Sequence, residues 1–197
     1  MANIEQCLSD AVWHNEPESW QMKEGVLVLN TSKDTDFWQD THYGFRRDNG
    51  HFLGLQVKGD FTAVLEFEAE YQVLYDQAGL MMRADAHYWL KTGVEYSDQV
   101  TNFSTVVTRA GRSDWSVVGV PQLKGAQQIR LTRVGSAVIA HCLGANGCWQ
   151  LMRLADFPAD ASVHVGPMAC SPTRTGLVVR FSDLQIGPPI EDPLHAI

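Results

Sequence analysis

Residues 76–109, DQAGLMMRADAHYWLKTGVEYSDQVTNFSTVVTR, restrict the fold more than any other stretch of this chain. From Gln77 to Arg83, and again from Tyr88 to Tyr96, residue character alternates with the period of two that a strand needs when its faces meet different surroundings. One face is Ala78, Leu80, Met82, Leu90 and Val94, which belongs against a core; the other carries Gln77, Gly79, Met81, Arg83, Trp89, Lys91, Gly93 and Glu95. If residues 84–88 close a hairpin, Arg83 falls opposite Trp89, Met81 opposite Lys91, Gly79 opposite Gly93 and Gln77 opposite Glu95. Two facing glycines leave bare backbone in mid-sheet, which points to close approach by a ligand or by another chain segment. The face reads either as a solvated exterior with a weak cross-strand ion pair or as a binding surface. On parity, Arg83, Lys91 and Glu95 are expected on the solvent side of one sheet, beside Gln77 and floored by Gly79 and Gly93. Alanine at Arg83 or Lys91 is then expected to abolish binding and spare the fold.

The rest of the chain repeats the strand signal. Val26–Leu29 follows a Gly turn after a first short strand, and residues 61–70 alternate Phe61, Ala63, Leu65, Phe67 and Ala69 against Thr62, Val64, Glu66, Glu68 and Glu70. Residues 125–134 and 137–142, the Asn146-Gly147 turn, residues 163–170 and residues 177–186 complete about a dozen strands, with almost no helical period. That pattern predicts an all-β, two-sheet antiparallel sandwich with the 76–109 strands central to one sheet. Residues 34–52, DTDFWQDTHYGFRRDNGHF, hold no period for long and read as a long surface loop with short strand pieces. Loops this rich in Trp, His, Tyr and Arg carry function more often than connections do, so His42, Tyr43 and Arg46 are candidates beside Trp38. Residues 1–187 are expected to form one domain and residues 188–197, with three prolines, a flexible tail.

Charge and motif content exclude several classes. Fifteen Lys+Arg against 23 Asp+Glu give a net charge of −8 with no basic stripe, so neither nucleic acid nor an anionic membrane is an expected partner. No apolar run approaches the roughly 20 residues that cross a bilayer, and the N-terminal residues lack the pattern of a secretory signal. A cytoplasmic protein with four reduced cysteines is expected, Cys142 and Cys148 being the one pair placed for a bridge across a turn. Phosphate-cradling loops, nucleophile elbows and dinucleotide fingerprints are missing from the sequence, so no cofactor is predicted. The one local metal-like cluster is His42, Asp48 and His51. Cys170 lacks an identifiable partner base.

The blocks WHNEPESW, EGVLVL, TDFWQDTHYGFRRDNGHF, DQAGLMMR with HYWLKTGVEY, and VGPMACSP with FSDLQI resemble a family of concanavalin A-like proteins of unknown function. That family occurs in bacteria and fungi and takes its name from a yeast protein described as a regulator of enolase. The QAGLMMR and WLK blocks are also similar to sandwich domains appended to some β-xylosidases. The resemblance implies a jelly-roll-like sandwich with one concave sheet, places His42, Tyr43, Arg46, Gln77, Arg83, Lys91 and Glu95 in recurring motifs, and implies no catalytic set. The β-glucan-cleaving family of that architecture uses Glu-x-Asp-x-x-Glu; the nearest match here, Glu66-Phe67-Glu68-Ala69-Glu70, lacks the Asp and the final spacing. Three readings follow. The first is a non-catalytic module holding a carbohydrate or small polar metabolite, with Trp38, Trp89 and Trp115 for stacking and Gln77, Arg83, Lys91 and Glu95 for hydrogen bonds. The others are a glycan-active enzyme using Glu95, and a regulatory protein docking on a metabolic enzyme.

Overall fold

The structure, a computed structural model, describes residues 4–120 and 123–195. A short helix, α1 (Ile4–Cys7), precedes the strands β1 (Val12–His14), β2 (Ser19–Lys23), β3 (Val26–Asn30), β4 (Phe37–Gln39), β5 (Arg46–Asp48), β6 (His51–Val57), β7 (Phe61–Ala69) and β8 (Gln77–Arg83). There follow β9 (Trp89–Ser97), β10 (Val100–Arg109), β11 (Arg112–Gly119), β12 (Gln127–Val134), β13 (Ala137–Leu143), β14 (Trp149–Asp156), β15 (Val163–Cys170) and β16 (Val178–Gly187). Two seven-stranded sheets result, one ordered β1-β6-β15-β8-β9-β10-β11 and the other β14-β13-β12-β7-β16-β3-β2, with β4 and β5 forming a separate two-stranded ribbon. Every pairing is antiparallel. This is the two-sheet antiparallel sandwich that the alternation predicts, of the jelly-roll type that the family resemblance implies, with β8 and β9 inside the first sheet.

Period-2 alternation explains the core. Ala78, Leu80, Met82, Leu90 and Val94 from the first sheet meet Phe61, Ala63, Leu65, Phe67, Leu131 and Phe181 from the second in one buried cluster. The β8–β9 register is Gln77 with Glu95, Gly79 with Gly93, Met81 with Lys91 and Arg83 with Trp89, as the sequence predicts. A Cβ added to Gly79 would collide with the Thr92 carbonyl and lie 2.6 Å from Gly93 Cα. The close approach that demands two glycines is therefore made by the paired strand itself, and Met168 of β15, opposite Gly79, covers the patch.

The second sheet's outer face and the chain's end complete the frame. Glu66 of β7 accepts hydrogen bonds from Gln128 and Ser182 on that outer face, on the other sheet from β8 and β9. Beyond β16, the Ile190 N–H donates to Thr62 Oγ1 at 3.0 Å; residues 196 and 197 of the expected tail lie outside the described residues. No helix of the described residues is long and apolar enough to cross a membrane.

Candidate functional site

The segment expected to be a loop over 34–52 is a hairpin laid across the outer face of the first sheet. Its ends carry acids and its body carries aromatics, and both sets find partners beneath. Trp38 of β4 pairs with Arg47 of β5, and the turn between them uses left-handed backbone at Asp40, His42 and Gly44, with φ of 58°, 61° and 68°. Phe37, Trp38, Phe52, Met81, Trp89, Val106, Met168 and Cys170 form a second apolar cluster between hairpin and sheet. The Gln39 N–H donates to Ser113 Oγ at 2.8 Å, fixing the hairpin to β11. Two ion pairs complete the seam: Asp48 takes a two-point contact from Arg83 at 2.8 and 2.7 Å, and Asp36 takes the Lys91 ammonium at 3.0 Å.

The hairpin seals one end of the face and leaves the other open. Between the hairpin, the loop before β8, and strands β9 to β11 lies a cavity of about 200 Å³. Its walls are aromatic: Trp38, Tyr43, Phe45, Tyr75 and Trp115. Asp36, Gln77, Lys91 and Glu95 supply its polar surface, with Arg47 also in the lining. Lys91 Nζ donates to Gln77 Oε1 at 2.6 Å, and Gln77 Nε2 in turn donates to the Tyr75 carbonyl at 3.2 Å. Glu95 Oε2 accepts from Ser104 Oγ at 2.8 Å, and the Trp115 indole N–H donates to that same hydroxyl at 3.0 Å. The hydroxyls of Tyr43 and Tyr75 meet at 2.9 Å, tying the hairpin tip to the loop before β8.

Burial sets the protonation of this group. It raises the Glu95 carboxyl above the usual glutamate range, against the opposing pull of Lys91 and the Ser104 hydroxyl. For Lys91 burial is the largest single influence and acts downward, but Asp36, Cys170 and Glu95 together outweigh it and raise the ammonium. The hydrogen bond from Tyr43, then burial, pushes the Tyr75 phenol far above its ordinary value. A fixed cation, an easily protonated acid and several ring walls therefore share one small space.

Of the ten residues named from the sequence, Trp38, Tyr43, Gln77, Lys91, Glu95 and Trp115 line the cavity. The other four do not. Trp89 is fully buried, its ring 5.9 Å from Phe37, so it packs the sealed end and offers no stacking face. Arg83 is 7% exposed and committed to Asp48. His42 stacks edge-on against Tyr43 at 4.9 Å, and Arg46 makes a two-point contact with Asp40 at 2.9 and 2.7 Å, so both shape the exposed turn. The expected solvent exposure of Arg83, Lys91 and Glu95 is likewise corrected: they do face away from the inter-sheet core, but the hairpin covers them, leaving 4% of Lys91 and 6% of Glu95 exposed. Alanine at Lys91 or Arg83 would strand a partner carboxylate, so a loss of stability is expected in place of a spared fold. Gly79 and Gly93 do not floor the cavity; Gly93 borders only a void of about 10 Å³ beside it.

Sequence reasoning missed Asp36, Phe45, Arg47 and Tyr75. Asp36 had a readable signal, since a segment bearing Asp36 and Asp48 matches in number and sign a face bearing Lys91 and Arg83. Tyr75 had none, because its direction depends on a left-handed backbone with φ of 66°. Elsewhere, burial pushes the Cys170 thiol far up, which leaves it a poor nucleophile. All four cysteines are free. His51 donates from Nδ1 to the Asn15 carbonyl at 2.7 Å and accepts the Ser32 N–H at Nε2 at 3.0 Å, which uses both ring nitrogens. No group of three metal-ligating side chains converges among the described residues.

Comparison with known proteins agrees with this architecture. A family model described as a protein of unknown function, DUF1349, matches residues 13–189. The chain is 41% identical over 188 residues to Regulation of enolase protein 1 of Saccharomyces cerevisiae, covering 95% of this chain and 94% of that protein. A crystal structure of a functionally unknown protein from Saccharomyces cerevisiae superposes with a TM-score of 0.88 at 41% identity, over 93% of this chain and 99% of that one. The GH43 protein BlXynB from Bacillus licheniformis shares the fold at 14% identity and a TM-score of 0.65, over 87% of this chain and 35% of that longer one.

Proposed function

We propose, from the premise that this chain belongs to the DUF1349 family of proteins of unknown function, that it is a non-catalytic binding protein. Its ligand is a carbohydrate or small polar metabolite held in the cavity under the β4–β5 hairpin. The observation that carries this reading is the lining itself, aromatic walls around a few convergent and mostly buried polar groups, which is the makeup of small-molecule sites. Apolar sugar faces stack on rings such as Trp115, and the hydroxyls meet Glu95 and Lys91. A cytoplasmic location fits a fold whose cysteines are all unbridged.

The regulatory reading draws on one observation, the name of the yeast relative. In that version the ligand cavity is retained and the exposed hairpin tip around Tyr43 and Phe45 meets a metabolic enzyme. The glycan-active alternative needs a second carboxylate working with Glu95. Asp36 lines the same cavity, but Lys91 and Gln77 hold it, and Glu66 and Glu68 belong to the opposite sheet, with Glu70 just past the end of β7.

A thermal-shift screen of the purified chain against neutral, amino and phosphorylated sugars and polar metabolites tests the proposal. A ligand present at a hundred times its Kd should raise the melting temperature by roughly 5–10 °C. Trp115→Ala should lose most of that shift at little cost to the unliganded fold, because this side chain is 36% exposed. A shift that persists unchanged in Trp115→Ala, or no shift across the screen, contradicts the reading.

A further inference from the structure

Inside the cavity Lys91 is held by two acceptors and the Trp38, Tyr43 and Phe45 rings contact one another, whereas Glu95 and the Trp115 ring have room for a further partner. Lys91 Nζ already serves Asp36 and Gln77. Arg47 lies over the Phe45 ring, 5.4 Å from its centroid, and donates to the Asp34 carbonyl. Glu95, by contrast, accepts from Ser104 and feels the Trp115 indole N–H as a second donor, where an ionised carboxylate has about four acceptor sites. Trp115 stands beside it without a ring contact to another aromatic among the described residues, and Trp38, Tyr43 and Tyr75 line the same space. Aromatic faces attract a cation seated within about 6 Å of the ring centroid, tryptophan most strongly. The chain's net charge of −8 adds a field of the same sign.

We propose, resting on the reading of this cavity as a ligand site, that its ligand carries a positively charged amine, a primary or methylated ammonium held between the aromatic walls with Glu95 as its counter-ion. An anionic ligand would set its charge beside Glu95 and Asp36 and compete with Asp36 for Lys91. A neutral ligand would use the rings and leave Glu95 only Lys91 as a compensating charge.

The test uses a matched pair of probes, choline and its neutral isostere 3,3-dimethyl-1-butanol, with glucose as a third. Each is titrated into the full chain by calorimetry, with tryptophan fluorescence as an independent signal. Choline should bind about tenfold or more tightly than the isostere. Glu95→Gln should cut that preference to near unity while the unliganded protein keeps its circular-dichroism spectrum and cooperative melt; Glu95→Asp should keep part of it. Equal affinity for choline and the isostere overturns the proposal, as does a choline preference that survives Glu95→Gln. Binding of glucose or the isostere without choline also overturns it, while leaving the ligand-cavity reading standing. If none of the three binds, the ammonium proposal fails, and the wider screen decides the cavity reading separately.

Discussion

Arg83 and Glu95 sit on the same face of the same two-stranded unit, yet one end of that face has become a second core and the other a cavity. At the Arg83 end the hairpin brings Phe37 onto Trp89 and Asp48 onto the guanidinium, and little space remains. At the Glu95 end the hairpin's rings stand off the sheet, and about 200 Å³ stays open. Strand parity alone does not distinguish the two ends; what the covering segment carries at each point does. Aromatic and charged side chains on an outward face thus serve either packing or binding, according to their partners.

The largest effect expected from breaking the comparison is at Trp89. Trp89→Ala should cost about 3–5 kcal/mol of stability, measured by urea unfolding, since it empties the centre of the sealed end. A cost below about 1 kcal/mol would mean that this end is not a core. Next comes Arg83→Ala, which leaves Asp48 without its main partner. Breaking a fully buried pair costs about 3–5 kcal/mol, and because the Asp48 side chain is 30% exposed we expect about 2–3 kcal/mol here. The double variant with Asp48→Asn should recover part of that loss; strict additivity would show that the pair is not coupled.

Smaller, but more diagnostic, is the opposite pH response of the two ends. Burial is the largest single influence on Asp48 and raises it, but His14 and Arg83 outweigh burial and its carboxyl ends below the usual range. A depressed folded value means that its contribution to stability is present above the unfolded aspartate value of about 3.9 and is lost as pH falls through the folded value. Glu95 is raised, so the folded state holds its proton more tightly. Its contribution is full below the unfolded glutamate value of about 4.3 and is lost as pH rises through the folded value. Glu95→Gln should therefore melt higher than the unmodified chain at neutral pH and lose that advantage on acidification. Asp48→Asn should be the variant whose stability falls least in acid. Parallel pH profiles for all three proteins would refute this assignment.

The register of β8 and β9 and the division of their faces were legible because period-2 alternation is a local property that one strand pair states twice. The cover over that face was not, because residues 34–52 acquire their role only by docking on a sheet formed by β1, β6, β15, β8, β9, β10 and β11. Taken alone, Arg83, Lys91 and Glu95 match the composition of a solvated surface. The contrary signal was Met81 and Trp89 on the same supposed exterior, two large apolar residues that needed a lid. Trp115, named only as a stacking residue, lies within β11 opposite Val106, and its place over Ser104 follows from that pairing. The four candidates outside the cavity were named from residue type; their partners, Asp48, Asp40, Tyr43 and Phe37, decide what they do.

Indole N–H resonances give the most direct test that the open end is the binding site and the sealed end is not. Of the six tryptophans, Trp38 and Trp115 report from the cavity, Trp89 from the sealed end, Trp13 and Trp20 from one contacting pair, and Trp149 from β14. In a two-dimensional NMR titration with any compound that scores in the thermal-shift screen, the signals of Trp38 and Trp115 should move progressively and saturate together, while those of Trp89, Trp13, Trp20 and Trp149 stay in place. Saturable movement confined to Trp13, Trp20 or Trp149, with Trp38 and Trp115 unmoved, would contradict the account.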